Sequence, residues 1–454
     1  MSQLLLSFCY TRPLGHVLAR FDTSSQAFEW LDLTQLNLPI YGATGVCRHA
    51  GGFYAVLQVK CGNQVSTELV EFDNECRVRR NCTLHQVHDA HSMVIWKDTL
   101  LVVSTGSNQV IEITWPADCL AEERVFFELE PGADTLHMNG LQVFEDHIYL
   151  SMFGQKPGPS WITARHGCVL DLTQAGQTVV QDLHHPHALF VDGDALGCLS
   201  SMTGHIAHIA GEPQTAYPVL PGYIRGAASD ARHLYIGVSI PRQHSKSRGV
   251  THEAPGSMTD GRGCGLHQFD KLTGQTTWLD LSPFGSELYD IVIWPEATPI
   301  QGSREQAMAE RLYAMNAEVS EQMNNWYQLI SARKQMVDAI AELVELDGDY
   351  VGAKRLLVRL LSQAPQCAEW NYYYAVCEFA LGGDLAVTIR HMSNALEGNF
   401  KAESARAYLK QAYLAPDPTG QAARLPLTTA ESALASSGLQ TPIRSSGMQS
   451  ATNQ

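Results

Sequence analysis

The chain has 454 residues, of which 45% are hydrophobic and 17% are charged, and its formal net charge is -16. This is the composition of a globular protein with enough length for two or three domains. The negative charge argues against non-specific binding to nucleic acid or to an anionic membrane, because both are themselves negatively charged.

The amino-terminal segment contains an apolar run, Leu4–Leu6, which no basic residue precedes and no small-residue cleavage site follows. This pattern predicts a β-strand rather than a signal peptide. No stretch reaches the roughly 18 apolar residues of a membrane-spanning helix. The eleven cysteines contain no C-x-x-C pair, which is typical of buried, reduced thiols. We therefore expect a cytoplasmic protein that binds neither nucleic acid nor membrane.

A repeated pattern occupies residues 88–239. Four times a polar residue opens an apolar strand, and nine residues later lies the centre of a second apolar strand. The opening residues, here termed register residues, are His91, Asn139, His187 and Arg225, and the second strands are centred at Leu100, Ile148, Leu196 and Leu234. A serine ends each second strand, at Ser104, Ser151, Ser200 and Ser239. Strand pairs that repeat about every 40–50 residues indicate the blades of a β-propeller.

Two further register residues, Thr44 and Tyr289, extend the repeat in both directions. The strand around Tyr289, Leu288–Trp294, has no partner after it, because the composition changes at Pro295. Three unassigned strands lie near the other terminus, at Leu4–Ser7, Val17–Asp22 and Phe28–Leu33. Pairing them with the last strand completes a sixth blade and leaves no open sheet edge. The sequence thus predicts a mainly β fold, a six-bladed β-propeller over residues 1–296 that closes across the termini.

The apolar period changes after residue 296 from two to about 3.6, which predicts an α-helical domain over residues 297–415. Within it, Trp370, Tyr374, Ala386 and Ala395 resemble the tetratricopeptide pattern of paired helices. Such helices would bind a protein partner; a helical cap or an oligomerisation module is the alternative. Residues 416–454 are rich in Ser, Thr, Ala, Pro and Gln, which predicts a disordered tail.

The register residues are expected to form a ring, because the inner strand of each propeller blade runs along the central axis and equivalent residues at its start lie around one opening. Two positions earlier in each blade lie the members of a second, wider ring: Gly42, Asp89, His137, His185, Tyr223 and Glu287. Strand side chains repeat their direction every two residues, so both rings lie at the same mouth. Four histidines from three consecutive blades therefore meet there.

One interpretation of these histidines is a metal centre. Three imidazoles with Asp89 or Asn139 would hold a divalent ion and leave one position open for a substrate oxygen or for water. The candidate ligands are His91, His137, His185, His187 and Asp89, and the candidate ions are Zn²⁺, Fe²⁺, Mn²⁺ and Ca²⁺.

A second interpretation needs no metal. His91 or His187 acts as a general base, while Arg225 and Tyr223 stabilise an oxyanion or hold a carboxylate. In a third interpretation, the polar residues only hydrogen-bond ordered water in the channel.

The loop after Ser239 is long and basic, and it includes Arg242 and Arg248. Basic residues in an acidic protein indicate a small anionic substrate, a carboxylate or a phosphate, with Asn139 and Tyr289 as further contacts. A plain solvated loop is the alternative.

Four signatures carry a resemblance to a known family: His88–Ser92, His137–Leu141, Pro186–Leu189 and Arg225–Ala227. They resemble bacterial conserved hypothetical proteins with a domain of unknown function, some of which also have tetratricopeptide-like helices. The resemblance covers most of residues 1–296 and implies the propeller, but no reaction or catalytic residue.

Two propeller enzymes are similar in architecture. Histidine ligands from separate blades resemble those of the peptidyl-hydroxyglycine amidating lyases, and a metal-free mouth resembles that of streptogramin lyase. The leading hypothesis is therefore a metal-assisted lyase or hydrolase that acts on a small anionic substrate. The alternative is a non-catalytic scaffold in which propeller and helices both serve as docking surfaces.

Overall fold

The structure is a computed structural model that describes residues 2–62, 64–116, 121–213, 215–240, 263–294 and 299–414. By its internal contacts the chain divides into two units, Met1–Val319 and Ser320–Gln454.

The first unit contains six antiparallel sheets, which are the blades of a β-propeller. Blade 1 comprises β4 (Ile40–His49), β5 (Gly52–Cys61), β6 (Gln64–Asp73) and β7 (Val78–Leu84), and blade 2 comprises β8 (Ala90–Trp96), β9 (Thr99–Ser104), β10 (Gln109–Thr114) and β11 (Glu122–Glu128). Blade 3 comprises β12 (Met138–Phe144), β13 (His147–Met152), β14 (Gly167–Asp171) and β15 (Gln177–Leu183), and blade 4 comprises β16 (Pro186–Asp192), β17 (Ala195–Ser200) and β18 (His205–Gly211). Blade 5 comprises β19 (Tyr223–Ser229), β20 (His233–Ser239), β21 (Gly265–Asp270) and β22 (Thr276–Asp280). Blade 6 joins β23 (Leu288–Trp294) to β1 (Gln3–Phe8), β2 (Leu18–Asp22) and β3 (Phe28–Trp30).

The propeller closes through blade 6. Strand β23 pairs antiparallel with β1, from Gln3 opposite Trp294 to Ser7 opposite Asp290. The inner strands β4, β8, β12, β16, β19 and β23 each contact the next one, and β23 contacts β4. The predicted six-bladed propeller and its closure across the termini are therefore confirmed.

An aspartate ends the third strand of four blades and forms the turn to the outer strand. In blade 5, Asp270 Oδ1 accepts hydrogen bonds from the backbone N–H groups of Leu272 and Thr273. Equivalent bonds are made by Asp22, Asp73 and Asp171. Aspartate favours such turns because its short side chain satisfies backbone donors two and three residues ahead.

The core lies between neighbouring blades. Phe53 and Phe72 of blade 1 stack with ring centroids 4.4 Å apart, and Trp294 of blade 6 meets Phe53 edge-on at 5.4 Å. Burial of each such side chain contributes roughly 2–3 kcal/mol. Apolar packing therefore holds the blades around the axis and fixes the position of the inner strands.

The helix α1 (Arg304–Ala341) begins on the propeller. Trp30 Nε1 donates to the carbonyl of Ala307 at 3.2 Å, and Arg311 Nε donates to the carbonyl of Arg12 at 2.9 Å. These first turns pack on blade 6, so the boundary between the two units, after Val319, falls inside α1. The domain boundary predicted from the sequence lies earlier, after residue 296.

The second unit continues with a π-helical turn at Glu342–Leu346 and the helices α2 (Tyr350–Gln363), α3 (Ala368–Ala380), α4 (Leu385–Glu397) and α5 (Ala402–Leu414). Each of these helices packs against the next. Asp349 and Asp384 cap α2 and α4 by accepting from the N–H groups of Gly352 and Ala386. The helices confirm the predicted α-helical region, and its tetratricopeptide-like character stays a prediction. The predicted disordered tail, 416–454, lies outside the described residues. Among the helices that the structure describes, none is long and apolar enough to cross a membrane.

Candidate functional site

Each register residue lies in a β-bulge near the start of its inner strand. In blade 3, Met138 pairs with Met152 and Leu141 pairs with Leu150, so Asn139 is displaced from the regular ladder. The register shifts at the equivalent place in the other blades, at Thr44, His91, His187, Arg225 and Tyr289. A bulge bends the strand and changes the direction of a side chain. The repeat therefore brings six re-aimed side chains to one end of the axis.

Close contact between inner strands holds the bulges in place. Ser151 Oγ accepts the N–H of Gly140 at 2.9 Å and donates to the carbonyl of His187, in the next blade, at 2.7 Å. A Cβ atom on Gly140 would lie 2.4 Å from that carbonyl oxygen, which only glycine avoids. Gly226 similarly faces the carbonyl of Tyr289, at 2.8 Å from a built Cβ. In blades 3 and 5 the residue after the register residue must therefore be glycine.

A cavity of about 110 Å³ lies on the axis behind this mouth. Five of the six register residues line it: His91, Asn139, His187, Arg225 and Tyr289. Thr44 is buried but does not line the cavity; Val46 of the same strand lines it instead. The structure thus brings together most of the ring that the sequence predicts.

Several polar atoms around this cavity are buried without a hydrogen-bond partner among the described residues. They are Arg225 Nε, Asn139 Nδ2, Tyr289 Oη and His91 Nδ1, which come from four different blades. Each such atom costs about 1–3 kcal/mol if it stays unpaired, and more if it is charged. A ligand or water that supplies oxygen atoms would remove this cost, so the lining is suited to an oxygen-rich guest.

Arg225 is fixed on three sides. Its Nη1 lies 3.0 Å from Glu287 Oε2, in an ion pair with both side chains buried. The guanidinium carbon also lies 5.3 Å from the ring centroids of Tyr223 and of Tyr289, within cation–π distance. Because the ion pair and the two rings hold the guanidinium, Arg225 Nε keeps its orientation without a ligand.

His187 is buried and neutral. Burial lowers its pKa well below the usual value, and the nearby charge of Arg225 lowers this pKa further. Its Nδ1 lies 3.0 Å from the carbonyl of His185 and 2.7 Å from Ser201 Oγ. A carbonyl only accepts hydrogen bonds, so Nδ1 carries the proton and Nε2 carries the lone pair. His187 can therefore accept a proton at Nε2.

His185 and Tyr223 form a hydrogen-bonded pair. His185 Nε2 donates to the carbonyl of Trp161 at 2.7 Å, and Tyr223 Oη donates to His185 Nδ1 at 3.0 Å. Burial lowers the pKa of His185 to about 3, so the ring is neutral. Both ring nitrogens of His185 are occupied, and neither residue is among those that line the axial cavity.

His137, His91 and Asp89 lie side by side at the same mouth. The rings of His91 and His137 meet edge-on with centroids 5.0 Å apart. His137 Nδ1 lies 3.2 Å from Asp134 Oδ2, and burial lowers the pKa of His137 although Asp134 opposes that shift. Asp89 Oδ2 lies 3.7 Å from His91 Nε2, while Asp89 Oδ1 accepts from Gln58 Nε2 at 3.1 Å.

The predicted metal ligands are engaged in other contacts in this arrangement. Within the described ranges, no group of three or more His, Cys, Asp or Glu side chains is placed to hold a metal ion. Ligation by His185 would break a hydrogen bond at either nitrogen, and Phe153 stacks on its ring at 4.3 Å. The metal ion stays a prediction for which this arrangement offers no ligand set.

Two predicted substrate contacts, Arg242 and Arg248, lie outside the described residues. Two contacts at the mouth were missed as functional residues. The sequence repeat placed Glu287 in the second ring, so it predicted the position of this residue. It did not predict the ion pair of Glu287 with Arg225. Phe153, which packs against His137, His185 and His187, carries no signal in the repeat beyond following Ser151.

Comparison with known proteins gave one family. The model described as "Domain of unknown function (DUF4915)" matches residues 50–300, more than half of the chain. No curated protein matches the chain.

Several solved structures are similar at low sequence identity. A chain of the nidogen/laminin complex is 11% identical, covers 66% of this chain and 100% of its own, and has a TM-score of 0.39. A protein from Lactobacillus plantarum is 9% identical, with 65% and 99% covered and a TM-score of 0.39. The pyrroloquinoline quinone (PQQ)-bound aldose sugar dehydrogenase of Streptomyces coelicolor is 12% identical, with 55% and 91% covered and a TM-score of 0.33. At TM-scores below 0.5 these likenesses carry no argument about the activity of this chain.

Proposed function

This chain belongs to the DUF4915 family, a domain of unknown function, and we propose that its propeller is an enzyme that binds a small carboxylate in the axial cavity. One observation carries the proposal. Buried polar atoms of Arg225, Asn139, Tyr289 and His91 surround a single cavity without partners among the described residues. A carboxylate offers two oxygens with about four lone-pair sites, which suits several converging donors.

The charges favour a carboxylate over a phosphate. Glu287 already balances the charge of Arg225, so the site supplies hydrogen-bond donors rather than a net positive charge. Asp290 also lines the cavity, and burial raises the pKa of its carboxyl to about 6. A doubly charged phosphate would be repelled by Asp290 in the lining and by Glu287 beside Arg225, whereas a singly charged carboxylate would be repelled less. The cavity volume of about 110 Å³ restricts the bound carboxylate to a small molecule.

We assign His187 the role of proton acceptor, because it is neutral with its lone pair on Nε2. In a lyase reaction, the C–H bond next to the carboxylate breaks and its proton goes to His187 Nε2. The electron pair becomes a new double bond as the leaving group departs from the neighbouring carbon. Arg225 Nε and Asn139 Nδ2 stabilise the charge that develops on the carboxylate oxygens. Tyr289 Oη, whose pKa burial holds well above its usual value, stays protonated and can hydrogen-bond the leaving group.

Hydrolysis is the second reaction open to the same residues. His187 Nε2 would then take a proton from water while the water oxygen bonds to an acyl carbon of the substrate. The bond from that carbon to the leaving group breaks and His187 returns the proton to the leaving group, with the same donors on the carboxylate. Elemental analysis distinguishes the metal-assisted form of either reaction from the metal-free form. The cytoplasmic location and a protein partner for the helices stay predictions.

Thermal unfolding in a panel of small molecules tests binding. At constant ionic strength, acetate and glycolate should raise the melting temperature in a saturable manner, while neutral acetamide and inorganic phosphate should raise it less. The variants Asn139→Ala and Tyr289→Phe should lose the response. Arg124→Ala, at an exposed arginine of blade 2, should keep it. No saturable response to any carboxylate, or an equal response in all variants, would contradict the proposal.

Elemental analysis of protein purified without a histidine tag tests the role of metal. Carboxylate binding that persists after treatment with a chelator supports the metal-free site. Near-stoichiometric metal that disappears in the double variant His91→Ala, His187→Ala, with the fold intact, would instead establish the metal-assisted mechanism and overturn this one.

A further inference from the structure

A second cavity follows the axial cavity along the axis of the propeller. It has a volume of about 370 Å³ and is here termed the distal cavity. Six residues line both cavities: Val46, Met93, Gln142, Ala227, Ile291 and Val292. They lie two or three positions after the register residues, so the distal cavity begins where the axial cavity ends.

The two cavities differ in chemistry. Polar register residues line the axial cavity. Apolar residues from all six blades line the distal cavity, among them Val94, Val143, Val191 and Ile293, and no Asp or Glu of the described ranges is part of its lining. Ligand sites typically combine a mainly apolar wall with a few polar groups that fix the orientation of the ligand. The axial and distal cavities together have this composition.

Arg48 lines the distal cavity at its far rim. It is exposed, its Nη1 donates to the carbonyl of Ile293 at 3.2 Å, and its guanidinium carbon lies 5.7 Å from the ring centroid of Trp294. Because these contacts hold the charge at the solvent, the interior of the distal cavity is left mainly to apolar residues.

The near mouth offers less room for an apolar group. Over blades 3 and 4, Phe153 packs on the rings of His137 and His185, with centroids 4.4 and 4.3 Å apart, and Trp161 lies 4.8 Å from His137. On the side of blade 2, the mouth presents the carboxylate of Asp89 beside His91. An apolar substituent on a ligand of the axial cavity is therefore better accommodated towards the distal cavity.

Provided that Arg225 and Asn139 bind the carboxylate, as proposed for the axial cavity, we propose that the distal cavity binds its tail. The substrate class is then a carboxylate with an aliphatic chain. The axial cavity, at about 110 Å³, holds the carboxylate and the first carbons. Ligand pockets usually measure about 300–1,000 Å³, a range that the two cavities reach together and the axial cavity alone does not.

The strands set the length of the chain. The distal cavity extends to the fourth residue after the register residue, as in Val143 after Asn139 and Ile293 after Tyr289. At a rise of about 3.3 Å per residue, its far end lies roughly 13 Å from the register residues. An extended chain advances about 1.2 Å per bond, since three bonds span about 3.6 Å. A carboxylate of about eight carbons therefore reaches the far rim.

Calorimetric titration of the full chain with acetate, butanoate, hexanoate, octanoate and decanoate tests the proposal, at constant pH and ionic strength. Each added methylene group should tighten binding by roughly four-fold as far as octanoate, which is the usual effect of burying one. Decanoate should gain little more, because its end reaches the solvent. Affinities that stay level or fall beyond acetate, while acetate itself binds saturably, would overturn the distal site and leave the carboxylate site in place. Absence of binding by every carboxylate would overturn both.

Two valines that line only the distal cavity provide a variant of nearly unchanged size. Val143→Thr with Val191→Thr exchanges one methyl group of each side chain for a hydroxyl group, which disfavours contact with an apolar chain. This double variant should bind octanoate several-fold more weakly and acetate as the wild type does. The control pair Val125→Thr, Val179→Thr, at exposed valines of blades 2 and 3, should bind both like the wild type. Equal octanoate affinity in the two pairs would contradict the distal site.

Asn139→Ala tests whether the chain enters from the axial cavity. Loss of octanoate binding together with acetate binding is the expected result, because the carboxylate holds the chain in place. Octanoate that binds this variant as tightly as the wild type would lie elsewhere on the protein and would overturn the proposal.

Discussion

Arg225 and Glu287 form a buried ion pair, 3.0 Å between Nη1 and Oε2, that joins the inner strand of blade 5 to the residue preceding β23. The two side chains neutralise each other's charge, and among the residues that the structure describes Arg225 Nε faces no acceptor. Their pairing accounts for two properties of the mouth, namely a fixed guanidinium and a cavity rich in donors without a large net charge.

Loss of one partner of this pair should be costly. We expect Glu287→Ala to lower the free energy of unfolding by about 3–5 kcal/mol, because Arg225 is left buried and uncompensated. The double variant Arg225→Ala, Glu287→Ala should lose clearly less than the sum of the two single variants. Urea unfolding measures all four proteins of this cycle. Strictly additive losses would show that the two groups do not interact.

Glycine at position 140 should be required for the spacing of blades 3 and 4. We expect Gly140→Ala to lower the free energy of unfolding by roughly 1–3 kcal/mol, since the added methyl group would press on the backbone carbonyl of His187. Gly51→Ala, whose added methyl group meets only movable side chains of Arg79 and His49, is the control and should have a smaller effect. Equal effects in thermal unfolding would contradict the close approach of these strands.

Acid should weaken the fold through His185. Its pKa is about 3 in the folded chain and about 6.5 when unfolded. Between these values the unfolded chain binds a proton that the folded chain does not, so stability falls as the pH falls below about 6.5. Relative to His185→Gln, which keeps hydrogen-bonding groups but does not titrate, the wild type should lose roughly 2 kcal/mol between pH 7 and pH 5. Urea unfolding at both pH values measures this difference, and parallel pH profiles would refute it.

Carboxylate binding should be coupled to proton uptake at His187. A bound anion stabilises the imidazolium and raises the pKa of His187 from its lowered value, so the affinity for acetate should increase as the pH falls from 7 to 5, while at pH 7 the ring stays neutral and keeps the lone pair that the proposed reaction needs. Calorimetric titration at pH 6 in two buffers with different heats of ionisation measures the protons taken up. His187→Gln should bind acetate without this uptake. Uptake that is unchanged in that variant would assign the proton to another group.

The sequence predicted the propeller because its repeat is a property of the strands themselves. The register residues, their spacing and the unpaired strand at Leu288–Trp294 were sufficient for the number of blades and for the closure. The same repeat predicted the ring at the mouth, since equivalent positions meet on the axis. It could not predict the tautomer of His187 or the occupation of both nitrogens of His185, which depend on carbonyl groups of Trp161 and His185 placed by irregular backbone.

The side-chain directions in the second ring could not be predicted from the repeat either, because they too depend on irregular backbone. The residues two positions before the register residues lie at the same mouth, but their side chains do not point the same way as those of the register residues. The reason is that Asp89, His137 and His185 adopt left-handed backbone conformations, with φ of 53°, 49° and 54°. Their side chains therefore interact with neighbouring loops, as in the contact of His137 with Asp134, rather than with a common centre. Spacing alone made these histidines look like one ligand set.

The side-chain Nε–H resonance of Arg225, assigned by its loss in Arg225→Lys, offers the most direct measurement of the axial site. If this donor receives a carboxylate, titration with acetate should shift the Arg225 resonance in a saturable manner and leave that of exposed Arg124 unchanged. An Arg225 signal that stays in place, or that moves only in parallel with Arg124, would contradict a carboxylate site on the axis.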